Sequence, residues 1–381
     1  MPAYAALDVS KSTTAIHVVD ETGRCLWRGK ARTDPELIAD ALAAHAPELA
    51  RVGLETGCWS TWLYHGLTDR GLSVVCMDAR QAKAALSLKI NKTDANDAAG
   101  LAQLLRTGFF REVRVKSWDA MRIRTLVRAR CGLLRTQLDL ANQIRGALRT
   151  FGLMLGTGGA RRFEAEVRCH LADRPDLAPI GLALLEAWTT IRRQVYRLDR
   201  EIRAAVRRDH ACRLLMTVPG VGCMTAISYV AAVEDPGEFR SARAVSAWIG
   251  LTPRRYQSGE IDVSGRISRQ GDKLLRSYLY EAAAHVLTRA TADSTLRRWG
   301  QGLRARIGFK RAVVAVARKL AVDDRAPTRR KPVVPRYAPS LGRQLFNGLP
   351  QTHCGGFDRS PTFSATLCNL KAICWLHDHG R

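Results

Sequence analysis

No two of the ten cysteines in this 381-residue chain stand in a Cys-x-x-Cys pair. That scatter speaks against a disulfide framework. Cys58, Cys76, Cys131 and Cys223 fall in apolar surroundings and read as reduced core thiols. There is no run of 18 apolar residues, which excludes a membrane-spanning helix, and no basic segment leading into an apolar stretch and cleavage site at the N-terminus. The expectation is a cytoplasmic protein that makes no membrane contact. Acid is also scarce: 35 Asp+Glu face 60 Lys+Arg, a formal charge of +25. Such an excess favours a polyanion, and nucleic acid is the default partner because released counterions drive its binding. With aromatics at only 7%, backbone phosphates rather than stacked bases are the expected point of contact.

Against that basic background, the run Lys92, Thr93, Asp94, Ala95, Asn96, Asp97 and Ala98 stands out. If it opens a helix, Asp94 and Asp97 project from one face, just ahead of the mostly apolar segment Ala99 to Leu105. Asp8, between Leu7 and Val9, and Glu55, between Leu54 and Thr56, each sit at the polar end of a short apolar run that reads as a buried strand. Singly such acids are caps or surface; together, without His or Cys, they suit one or two Mg²⁺ ions sharing a phosphate, and hence phosphoryl transfer.

Residues 1–112 alternate strand-like runs, among them Ile16 to Val19 and Ser73 to Met77, with helical ones at Leu37 to Ala50, Trp59 to Arg70 and Asp94 to Arg106, the pattern of an α/β domain. Thr13 to Gly29 reads as a hairpin turning near Asp20 to Gly23, so the sheet is expected to be mixed. For Trp59 and Trp62 core packing is favoured over base stacking. Residues 113–209 become long, Arg-rich helices. Leu184, Trp188, Ile191, Val195, Leu198 and Ile202 recur at spacings of four and three, the seam of a helical hairpin or coiled coil. Arg122, Arg124, Arg128, Arg130 and Arg135 are either solvated surface or a nucleic-acid-facing side.

The segment 210–322 is mainly helical. Pro219, Gly220, Val221 and Gly222 lie between two helical runs, a helix-hairpin-helix-like element that either presents N–H groups to a phosphate or simply packs. Next, Arg254, Arg255, Arg266, Arg269, Lys273 and Arg276 crowd a Gly-punctuated loop region. There Ser258, followed by Gly259, is a turn residue or a nucleophile approached by a phosphate. After Val322 the periodicity breaks; residues 323–381 hold six of the fourteen prolines and read as an atypical, poorly ordered tail. Cys354, Cys368, Cys374, His377 and His379 in that tail fit no metal spacing.

The set Leu-Asp-Val-Ser-Lys around Asp8 and Lys11, Leu-Glu-Thr-Gly around Glu55, Lys-Thr-Asp-Ala-Asn-Asp-Ala, Val-Pro-Gly-Val-Gly, the run Gly-Leu-Thr-Pro-Arg-Arg-Tyr-Gln-Ser-Gly from Gly250 and Gly-Arg-Ile-Ser-Arg-Gln-Gly-Asp from Gly265 resembles the DEDD transposases of the insertion-sequence one-ten family, relatives of the Piv invertases. The resemblance covers about residues 4–322. It implies a RuvC-like, ribonuclease H-type N-terminal domain, a helical coiled-coil linker and a C-terminal transposase domain. It also implies Mg²⁺ held by Asp8, Glu55, Asp94 and Asp97, and a serine nucleophile, by motif position Ser258, with Ser264 and Ser268 nearby. Donor and target DNA, a structured noncoding bridge RNA, and homodimers pairing into a tetramer are the implied partners. The tail departs from the family and looks like a frameshifted or read-through end. The competing readings are a RuvC-like nuclease in which water attacks, and a nucleic-acid-binding copy that has lost catalysis.

Overall fold

The computed structural model describes residues 2–87, 93–290 and 293–322. Lys92 and the tail from residue 323 lie outside the described residues. The chain divides into two compact units, Met1–Ser117 and Trp118 onwards.

The first unit is built on a mixed five-stranded sheet of order β3-β2-β1-β4-β5. Its strands are β1 Ala3–Val9, β2 Thr13–Val19, β3 Cys25–Arg32, β4 Leu49–Glu55 and β5 Val74–Met77. The first three run antiparallel, while β4 and β5 are parallel to β1. As expected, Asp20 makes the hairpin turn: its Oδ1 accepts from the backbone N–H groups of Thr22 and Arg24, at 2.9 Å each, and Gly23 takes φ +89°. Helices α1 Pro35–His45 and α2 Ser60–Thr68 cover one face through Ile38, Leu42, Leu63 and Leu67. On the other face, α3 Ala79–Leu86 and α4 Asp94–Thr107 pack through Ala82, Leu101 and Ala102. A strand covered on both faces must be apolar nearly throughout, which is why β1 reads as a continuous apolar run ending in Asp8.

Three expectations need correction here. The helix predicted over Leu37 to Ala50 stops at His45, because Leu49 and Ala50 begin β4. Trp59 and Trp62 are not core: each is 37% exposed, and they meet edge to face at 6.0 Å. Cys58 is exposed, whereas Cys76 is buried and its thiol is pushed up to about 12 by that burial.

The second unit contains α5 Trp118–Arg149, α6 Ala160–Ala172, α7 Ala178–Arg208, α8 His210–Leu215, α9 Cys223–Val233, α10 Ala242–Ile249, the hairpin β6 Pro253–Ser258 and β7 Ile261–Ile267, then α11 Lys273–Thr288, α12 Thr295–Ile307 and α13 Phe309–Leu320. Helices α5 and α7 pack along their length, burying Val127, Leu134, Trp188, Val195 and Ile202, so the predicted seam is satisfied within the chain. Val127, Ile202 and Val206 share one core with Leu215, Ile227, Leu275, Leu279, Val313 and Val316, which ties the long helices to α8, α9, α11 and α13.

Charge inside this unit is paired. The Arg130 guanidinium donates from Nε to Asp199 at 2.8 Å, joining α5 to α7, and Arg124 reaches Asp272 at 2.9 Å, joining α5 to the start of α11. Both arginines are largely covered, at 13% and 18% side-chain exposure, so neither is on a nucleic-acid-facing surface as their spacing allowed. Glu281 is different: its Oε1 is buried without a hydrogen-bond partner, and burial raises its carboxyl to about 7 despite the attraction of Arg130. A carboxyl raised above its unfolded value favours folding most at low pH, and that contribution is lost as pH rises through about 7. Glu281→Gln should therefore unfold like the parent at pH 4 and be more stable by about 3 kcal/mol at pH 8, read from urea midpoints. A variant with the parent's pH dependence would contradict this.

Candidate active site

Asp8 and Glu55 owe their places to the sheet. β1 and β4 run parallel with Leu7 opposite Leu54, so the next residues, Asp8 and Glu55, stand side by side where the two central strands end. Neighbouring strands are about 4.8 Å apart, and the carboxyl ends of parallel strands are where open α/β sheets bind ligands. Both acids are half-buried. Asp94 and Asp97 sit in the first turn of α4, which Thr93 caps by accepting from the Asn96 N–H at 3.2 Å. The helix N-terminus favours acids there, and Ala98, Leu101, Ala102 and Leu105 anchor the helix across β1, β2 and β4. Asp94 is exposed and Asp97 half-buried.

The four acids are thus carried by two central strands and one helix of the same unit. Among the described residues, however, no group of three or more His, Cys, Asp or Glu stands close enough to hold an ion as it is. What fits Mg²⁺ is the donor chemistry: carboxylate oxygens without nitrogen or sulfur. Lys11, in the β1–β2 turn, is exposed and borders an open cleft of about 490 Å³ together with Arg32, Thr33 and Trp62. Nothing in the sequence had grouped Arg32 with Lys11, because the β2–β3 pairing brings Arg32 opposite Thr13.

In the second unit, the region read as a loop is a two-stranded hairpin. Tyr256 pairs with Val263 and Ser258 with Ile261, closing on Gly259 and Glu260. Gly259 at φ +56° in the first central position suits a two-residue type II′ turn. Ser258 ends β6 and is exposed; Ser264, opposite Arg255, is exposed on the other face. The Ser268 hydroxyl is buried and has no hydrogen-bond partner.

The base of the hairpin is locked by backbone. Arg269 donates its N–H to the Gly250 carbonyl at 3.1 Å and Ser268 to Thr252 at 2.8 Å. Gly250 and Gly271, at φ +83° and +73°, let the segments at 248–250 and 269–271 touch directly, with no room for a Cβ at either. Arg276 donates to the carbonyls of Ile249, at 2.8 Å, and Gln270. Its guanidinium is committed to holding this frame, and burial lowers its pKa. Arg255 is spent on Asp262, Nε to Oδ1 at 2.8 Å, while Arg254 donates to the Ser268 carbonyl at 3.2 Å. Arg266, Arg269 and Lys273 are exposed. Asp272, absent from the sequence-predicted set, caps α11 by accepting from Leu275 N–H at 2.9 Å and receives Arg124. Its signal was a cap residue just ahead of an apolar helix.

Of the two glycines proposed at the α8–α9 turn, Gly220 at φ +85° is pressed against Val286 and the Ala282 carbonyl of α11, a packing role. Gly222 precedes α9 with open space around its Cα.

Comparison with known proteins matches both units. Residues 5–152 fit a model of the DEDD transposases of IS110, and residues 212–298 fit one described as the transposase IS116/IS110/IS902 family. A probable family 20 transposase of Pseudomonas aeruginosa is 34% identical over 241 residues, 61% of this chain and 71% of its own length. The transposase for insertion sequence element IS1111A of Coxiella burnetii is 27% identical over 322 residues, 83% of this chain and 86% of its own. The pilin gene-inverting protein of Moraxella bovis is 34% identical over 99 residues, 26% of this chain and 30% of its own. Strand-end acids in one unit, a serine hairpin in the other and relatives spanning both lead to one conclusion: the chain belongs to the IS116/IS110/IS902 family of transposases, enzymes that cut and rejoin DNA.

Proposed function

We propose that this transposase cuts and rejoins DNA through a phosphoserine intermediate formed on Ser258, with Asp8, Glu55, Asp94 and Asp97 holding Mg²⁺ in a RuvC-like domain of residues 1–112. Residues 113–209 are the coiled-coil linker and 210–322 the serine-bearing domain. The observation that carries the reading is the placement of Asp8 and Glu55 at adjacent strand ends. Mg²⁺ bound there would supply charge neutralisation at the scissile phosphate and a lowered pKa for a coordinated hydroxyl.

The chain's own residues do the rest. Ser258 Oγ loses its proton and bonds to phosphorus, the bond from phosphorus to a sugar oxygen breaks, and the released sugar hydroxyl takes a proton. Attack by the hydroxyl of another strand reverses these steps and frees the serine, so strands exchange without ATP. Support for Ser258 over Ser268 is its exposure, since a buried hydroxyl cannot reach a phosphate. Lys11, Lys92, Gly222, Arg254, Arg266, Arg269 and Lys273 are proposed to line the nucleic-acid path. A structured bridge RNA reads donor and target DNA by base pairing, which leaves the protein to hold backbones, in keeping with the charge of +25. Homodimers pairing into a tetramer and a cytoplasmic site of action complete the proposal; no helix among the described residues is long and apolar enough to cross a membrane.

The test is to express the full chain with its flanking noncoding DNA, add Mg²⁺ and a plasmid bearing rejoined element ends, and seek a protein–DNA adduct that survives denaturation. Mass spectrometry should place it on Ser258. Cut ends without an adduct would transfer the attack to water, and RNA retention with neither would mark a binding protein that has lost catalysis.

A further inference from the structure

The hairpin that carries Ser258 has two unlike faces. Directly opposed residues share a face and the side-chain period is two, so Tyr256, Ser258, Ile261 and Val263 lie together while Arg255, Gln257, Asp262 and Ser264 lie on the reverse. The reverse face is pinned by the Arg255–Asp262 pair. The first face is apolar apart from the serine, and it is open: Tyr256 is 66% exposed and Ile261 and Val263 56% each. Every residue of the hairpin from Pro253 to Arg266 is exposed. A lone two-stranded ribbon is marginal in water, and leaving three large apolar side chains on it uncovered adds to that cost.

We propose that Tyr256, flanked by Ile261 and Val263, is an apolar wedge that stacks on a base of duplex DNA beside the phosphate attacked by Ser258. This rests on the reading of Ser258 as nucleophile. Two residues along a strand span about 7 Å and successive base pairs about 3.4 Å, so Tyr256 falls within about two base steps of the serine. Apolar side chains pressed between base steps unstack and bend a duplex, which would open the backbone at the attacked phosphate. A second copy of the chain is the weaker occupant for two reasons. Sealing this face with protein would bury the serine that must meet DNA. It would also bring together two hairpins whose rims carry Arg254 and Arg266.

The test uses full-length Ser258→Ala protein with its flanking noncoding transcript, so that no serine adduct can form, and duplex DNA of the rejoined element ends carrying 5-bromouracil for thymine. Ultraviolet light should crosslink Tyr256 to a base. Tyr256→Phe should retain the crosslink, and Tyr256→Ala should lose it and weaken binding about tenfold or more. DNA crosslinked only outside residues 253–267, no crosslink at all, or unchanged binding by Tyr256→Ala would overturn the proposal. It would fall equally if Tyr256→Arg converted a dimer to a monomer in sedimentation while DNA contact stayed as in the parent. A wild-type adduct mapped to another serine, with the Tyr256 crosslink intact, would remove Ser258 as nucleophile and leave the wedge standing.

Discussion

Ser258→Ala is expected to abolish the denaturation-resistant adduct and to lower strand exchange by roughly 10⁴-fold or more, while binding of DNA and RNA stays within about twofold. The hydroxyl is exposed at the end of β6, and the alanine occupies the same extended backbone without strain, so loss of chemistry would not be loss of fold. Asp94→Ala should behave differently. With Asp94 in its proposed metal role, removing one oxygen ligand would weaken the metal site itself, so cleavage by either serine or water should disappear, and raising Mg²⁺ should restore part of it. The pair of variants separates the two mechanisms: a Ser258→Ala protein that still cuts DNA at the parent rate, with no protein–DNA adduct formed, requires water as nucleophile. Full recombination by that variant would exclude Ser258 altogether.

Gly271→Ala should destabilise the second unit by about 3 kcal/mol or more and release the hairpin. Two costs combine: a left-handed backbone that L-residues resist, and overlap of the new methyl with the Trp248 carbonyl, which cannot yield because it belongs to the end of α10. Gly259→Ala is the control, since it shares the left-handed backbone, at φ +56°, with nothing within 4 Å of the added atom. It should cost about 1 kcal/mol. Urea unfolding followed in parallel on both proteins measures the difference; equal midpoints would mean that the 248–250 and 269–271 contact is not what holds the hairpin base.

The acids were legible in the sequence for a local reason. A buried two-faced strand must be apolar along its length, so a charged residue at its end announces itself, as Asp8 and Glu55 do. The capped start of α4 is just as local, with Thr93 before Asp94 and Asp97. The α5–α7 seam followed from helical periodicity in the same way. The hairpin was hidden because Arg254, Arg255 and Gln257 alternate with too few apolar residues to signal a strand, and what fixes it is contact with Trp248 and Gln270 outside its own span.

Arginine roles show the same division. Arg124, Arg130 and Arg276 look like Arg266 and Arg269 in sequence, yet Asp272, Asp199 and two carbonyls claim the first three. Which guanidinium is left for a phosphate depends on which carboxylate or carbonyl the fold brings within about 3 Å, at separations such as 69 residues for Arg130 and Asp199. By itself, the sequence determined the charge, the acid-bearing strands and helix, and the serine motif, all set by short-range pattern. Tertiary structure alone decided that Asp8 and Glu55 are neighbours, that Ser258 shares an open apolar face with Tyr256, and which cations are already spent, because strand register and long-range pairing are properties of packing rather than of any local run.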